Sequence, residues 1–110
     1  MTIELFKTLG QVNPSATSLT TLYTVPASTQ TVCSSIVVCN QGVDTTFRVS
    51  VQIAGAGDDP KQYLYYDLPI EANDTFTATI GMTLATTDVV KVYAGTANVS
   101  FNLYGTEITS

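Results

Sequence analysis

Histidine and tryptophan are absent from this chain, and only Lys7, Arg48, Lys61 and Lys91 are cationic. Without histidine, a Ser-His-Asp or Cys-His arrangement has no base to activate its nucleophile. With four cations against nine acids, and a net charge of −5, no basic stripe exists to neutralise phosphates, so a direct nucleic-acid partner is not expected. Charged residues make up 12% of the sequence, roughly half the usual share, so much of the surface must be neutral.

Long apolar runs are missing too: none approaches the ~20 residues that a membrane-crossing helix needs, and no membrane partner is expected. The opening residues 1–7 carry Glu4 early and lack a basic segment followed by an apolar stretch. They do not match a secretory signal, and the mature protein is expected to begin at Met1. Cysteine occurs twice, at Cys33 and Cys39. Six residues of extended strand would hold their Cα atoms about 20 Å apart, far beyond the reach of a disulfide. Both thiols are therefore expected to be free. Their even spacing places them on one face with Ser35 and Val37, as inert packing. Two thiols without histidine are too few for a zinc site, and no metal or cofactor is expected.

What is present points to strands. Threonine and valine lead the composition, with Tyr and Phe as the only aromatics, a mixture suited to half-buried pleated surfaces. Strict alternation runs through residues 47–53, with Phe47, Val49, Val51 and Ile53 on one face and Arg48, Ser50 and Gln52 on the other. The same period recurs at 75–80 and 99–104, and further strands are expected at 5–9, 20–25, 30–40, 62–68 and 88–94. Short helical turns near 82–86 fit the remaining pattern. Turn chemistry separates these segments, at Asn13-Pro14, Asn40-Gln41-Gly42 and the Gly-rich loop 55–61 among others. Strands without intervening helices pair antiparallel. The expected fold is all-β: an antiparallel two-sheet sandwich, jelly-roll-like, with about eight strands, in a single domain spanning 1–110.

Candidate sites are few. No catalytic residue is assigned, because Glu4, Glu71 and Glu107 form no local carboxylate pair of the kind glycoside chemistry needs, and the chain is not expected to be an enzyme. Asp58 and Asp59 could supply oxygen ligands to calcium if Asp44 or Asp67 joined them in space, although adjacent aspartates before Pro60 also form turns. In strand 62–68, alternation puts Leu64, Tyr66 and Leu68 on one face and Tyr63, Tyr65 and Asp67 on the other, so one face is surplus to a core. Tyr63 and Tyr65 are candidate protein-interface residues, with Leu5 and Phe6 from the first strand. Tyr covering a sheet surface beside cross-strand neighbours is an equally common arrangement; Tyr63, Tyr65 and the loop 55–61 could also stack on a sugar, a lesser alternative, and a Thr-rich surface suits either packing against other copies or a solvated sheet face.

The ordered series Leu22-Tyr23-Thr24-Val25-Pro26-Ala27, Ser35-Ile36-Val37-Val38-Cys39-Asn40, Phe47-Arg48-Val49-Ser50-Val51, Leu68-Pro69-Ile70 through Asn73-Asp74-Thr75, Asp88 to Ala94 and Val99 to Gly105 covers nearly the whole chain. It resembles small virion-associated β-sandwich proteins of tailed bacteriophages. The resemblance implies a role in the virion, assembled in the host cytoplasm, as a capsid decoration or cement protein. Its partners would be the major capsid protein and copies of itself, as a homo-oligomer such as a trimer. A tail or baseplate adaptor or fibre-base module is the alternative implied by the same likeness.

Overall fold

The computed structural model describes residues 2–109 and contains nine strands among them: β1 (Ile3–Val12), β2 (Thr20–Thr24), β3 (Thr29–Asn40), β4 (Thr45–Gln52), β5 (Tyr63–Ile70), β6 (Thr75–Ala78), β7 (Met82–Leu84), β8 (Val89–Ala94) and β9 (Val99–Thr109). They form two antiparallel sheets. One runs β1-β9-β3-β6, with β7 also on β3, and the other runs β2-β8-β4-β5. The pairing nests from the chain ends to its middle: β1 with β9, β2 with β8, β3 with β6 and β7, β4 with β5. This is an antiparallel ribbon rolled into a two-sheet sandwich, the jelly roll that the strand pattern predicts.

The core lies between the sheets. Phe47, Phe101, Ile36, Leu103, Val38, Val49, Val90 and Val92 are fully buried there. Phe47 stands 5.3 Å from Phe76 and 6.1 Å from Phe101, ring centre to ring centre, in tilted and edge-on contacts. Each such side chain stabilises the fold by about 1.5–3 kcal/mol relative to leaving it exposed.

The structure departs from the expected pattern at several places, each with a local cause. Between Cys33 and Ser35 the β3–β9 register slips by one residue, so Ser34 is extra. The bulge turns Cys33 inward and Cys39 onto the opposite, half-exposed face, and the two thiols do not share a side. Burial pushes the Cys33 thiol up to about 11. A second slip, between Thr8 and Gly10, lies beside it on β1. Gly105 pairs with both Lys7 and Cys33 at this line of bulges, and a Cβ there would overlap the Val32 carbonyl oxygen. Only glycine lets the three backbones approach so closely.

The other departures concern strand ends and faces. β4 stops at Gln52, and Ile53, expected on the buried face, opens a 3-10 turn and is 74% exposed. Ala54 in that turn has a φ of 54°, which breaks the extended conformation. Residues 82–84 form strand β7 rather than a helical turn, because the free edge of β3 at Thr31–Cys33 takes them up as a ladder partner. In β5 the register jumps between the Phe47–Leu68 and Val49–Tyr65 pairs, and Asp67 adopts a φ of 53°. That jump, with a second slip between the Val49–Tyr65 and Ser50–Tyr63 pairs, breaks up the expected facing. Tyr65 turns to the core, 6.3 Å from Phe47 and 5.3 Å from Phe76, whereas Tyr63 shares the outer side with Tyr66, 5.0 Å away.

Candidate interface surfaces

Two parts of the surface concentrate side chains that the core does not use. The first is the outer half of β1, the last strand of its sheet. Ile3, Leu5 and Phe6 are exposed, Phe6 at 81%. Pairing register sets Phe6 in a row with Thr106 of β9, Val32 of β3 and Thr83 of β7, on the face turned away from the core. Val32 is also exposed. Leu5 lies on the other face, opposite Glu107, so the end of this strand is apolar on both sides. Its free edge carries backbone donors and acceptors that another strand could pair with.

Beneath that strand sits a polar cluster closed off by β2. Tyr23 donates its hydroxyl to Glu107 Oε2 at 2.5 Å and lies 2.8 Å from Thr31 Oγ1, while Lys7 Nζ reaches Glu107 Oε1 at 3.3 Å. Tyr23, Thr31 and Glu107 are all buried. Burial, reinforced by the adjoining carboxylate, holds the Tyr23 phenol well above its ordinary range. The cluster fixes the pairing of β1, β9 and β3 from inside.

The second region is the outer face of the β2-β8-β4-β5 sheet. Arg48 points outward by simple alternation, and its guanidinium lies between two rings, 4.1 Å from the centre of Tyr66 and 4.3 Å from that of Tyr93. Asp67, re-aimed by its left-handed backbone, accepts from Arg48 Nε at 2.6 Å and from Nη2 at 3.3 Å. This fork-like pair raises the Arg48 pKa still further.

The loop before β5 is held by its own side chains. Asp59 Oδ1 accepts from the Lys61 amide at 3.1 Å, Gln62 Oε1 accepts from the Asp59 amide at 3.1 Å, and Gln62 Nε2 donates to the Gly57 carbonyl at 2.8 Å. With Pro60 at the start of the turn, this is a capping box around one helical turn. Tyr63 donates to Asp58 Oδ1 at 2.8 Å. Partial burial and that carboxylate raise the Tyr63 pKa. Arg48, Asp58, Asp59, Pro60, Tyr63 and Tyr66 together line an open depression of about 430 Å³.

Of the residues singled out in the sequence, Leu5 and Phe6 fall together on β1 and Tyr63 falls on the second surface. Tyr65 leaves the group, because it is partly buried and packs against the core. Asp44 and Asp67 do not join Asp58 and Asp59: Asp44 accepts from the Ala72 amide and Asp67 pairs with Arg48. Among the described residues, no group of three or more His, Cys, Asp or Glu side chains could hold a metal ion. Arg48, Tyr66 and Tyr93 were not among the candidates. Arg48 was legible as an outward residue, but its meeting with Tyr66 depends on the β5 register jump, which leaves no sequence signal beyond a residue type, Asp, that tolerates positive φ.

No protein-family model matches the chain, and no curated protein matches it. Solved structures share its fold. One similar chain is in the structure of infectious bursal disease virus Gx strain, with a TM-score of 0.57 and 8% identity over 98% of this chain. The match takes in 32% of that chain, so the present chain spans about a third of its length. Another is in the acidic stable capsid structure of Helicobacter pylori bacteriophage KHP30, with a TM-score of 0.55, 14% identity, and coverage of 98% of this chain and 93% of that one. At these identities the likeness is one of fold.

Proposed function

We propose that this chain is a virion structural protein, and specifically a capsid decoration or cement protein that binds over shell subunits and stabilises the shell. The observation that carries the reading is the shared jelly roll: a chain within a bacteriophage capsid structure is covered over 93% of its length by this one. The exposed end of β1, with Ile3, Leu5 and Phe6, supports it as the kind of surface that protein contacts cover. On this reading the work is binding rather than chemistry, the partners are the major capsid protein and further copies of this chain, and the place is the virion.

Particles prepared with and without the protein test the proposal. Those lacking it should release their genome at a lower temperature, and equal thermal stability would count against a cement role. A tail or baseplate module is the competing assignment within the same fold. Imaging of purified particles separates the two, because a shell component recurs over the whole surface and a tail module sits at one vertex.

A further inference from the structure

The two sheets have four outer edges, and three of them are blunted. β5 carries Pro69, two register slips and the left-handed Asp67. β2 spans five residues with a slip of its own, and the far edge of β3 is shared between β6 and β7, of four and three residues. Short, bulged or proline-bearing edges resist pairing with a further strand. β1 differs: it is ten residues long, contains no proline, and its one slip falls after Thr8. Every residue from Ile3 to Thr8 is exposed. The neighbouring β2 closes on this strand further along, at Gly10, where a Cβ would overlap the Leu22 carbonyl oxygen.

Charge is divided unevenly between these edges. Asp44, Asp58, Asp59, Asp67, Glu71 and Asp74 all fall between the end of β3 and the start of β6, on β5 or in the loops beside it. β1 bounds its sheet on the side opposite β6, and residues 3–8 carry one acid and one base, Glu4 and Lys7. A basic partner is drawn to the acidic side, whereas an apolar edge of balanced charge lets a molecule of the same net charge approach. We propose that β1 pairs antiparallel with β1 of a second copy about a two-fold axis at Phe6, joining the two β1-β9-β3 sheets into one. A two-fold axis normal to a sheet sets one residue opposite its own equivalent. Centred on Phe6, which is 81% exposed, it brings the two rings together, with Leu5 opposite Lys7 and Glu4 opposite Thr8. No like charges then face each other, whereas an axis at Glu4 would oppose two carboxylates. The proposal rests on the virion reading for its setting, in which copies lie side by side; the pairing itself is a property of the chain in solution.

Sedimentation equilibrium of the full chain tests this. Its average mass should rise from 11.7 kDa towards twice that value as the protein is concentrated from about 1 µM to about 1 mM. Amide hydrogen exchange within residues 4–8 should slow over the same range. Phe6→Glu, at an exposed position, sets two carboxylates against each other on the axis and should weaken association by about tenfold or more. Leu64→Glu, on the exposed β5 edge, should leave association unchanged. A monomer at every concentration, undiminished association of Phe6→Glu, or an equal loss in Leu64→Glu would each overturn the proposal. So would protection of the β1 amides that appears on particles alone, which would make a shell subunit the occupant and leave the virion assignment standing. Conversely, particles equally stable without the protein would sink the cement reading and leave the pairing in solution untouched.

Discussion

The cluster beneath β1 and the cluster on the outer face of β4 and β5 are built from the same parts: tyrosine, one cation and carboxylate. In the first, Tyr23 and Glu107 are buried and only Lys7 reaches water. In the second, the side chains of Arg48 and Asp67 are 22% and 44% exposed, and Tyr66 is exposed as well. Burial makes the first group structural, since each polar atom there has lost its water and depends on its partner. Exposure makes the second group nearly neutral for stability, and leaves its surroundings free to meet another molecule. Like residues thus serve opposite ends, and solvent decides which.

Breaking the buried cluster should have the largest effect. Glu107→Ala strips the Tyr23 hydroxyl of its acceptor inside the sandwich and is expected to cost about 2–3 kcal/mol in urea unfolding. Glu107→Gln, which keeps an acceptor, should cost about 1 kcal/mol. Equal losses for the two would show that the hydrogen bond is not what matters.

Alkaline pH probes the same contrast through Tyr23. Its pKa is raised in the folded state above the ordinary tyrosine value of 10.0, so the folded protein retains a proton that the unfolded chain gives up. The contribution is fully present below pH 10 and is lost as pH rises from there towards the folded value. The slope attributable to Tyr23 is at most about 1.4 kcal/mol per pH unit. Tyr23→Phe should flatten this part of the stability profile, and a slope identical in the variant would assign the loss to other groups.

Smaller effects are expected outside. Arg48→Ala removes an exposed ion pair and two ring contacts, and should cost about 1 kcal/mol or less. A loss as large as that of Glu107→Ala would erase the distinction between the regions. Smallest of all, Phe6→Ser should leave stability within about 0.5 kcal/mol of the parent. The same substitution should weaken binding to particles, which a co-sedimentation assay reads directly.

Much of the fold was legible because alternation is a local property. β8 and β9 bury every second residue over residues 89–94 and 99–103, as a half-buried strand dictates. What misled was parity. One extra residue, Ser34, turned Cys39 away from the side of Cys33, and the register jump before Leu68 exchanged the places of Tyr65 and Tyr66. A bulge of one residue inverts every later side chain, yet it is written in no residue type strongly enough to be read. Leu5 and Phe6, singled out in the sequence, fall on opposite faces of β1, as adjacent residues of a strand must, and both are exposed. The pocket was only half found, through Tyr63 and Asp58.

Composition and periodicity by themselves determined that this chain is a sandwich of antiparallel strands, with an acidic, weakly charged surface. They did so because strand preference and face alternation act between near neighbours. The tertiary structure alone decided which tyrosines are core and which are surface, and that Glu107 is buried against Tyr23, 84 residues away. It also set Arg48 between rings from two other strands. Those outcomes depend on register between strands distant in sequence, and register is fixed by the packing of the whole sheet.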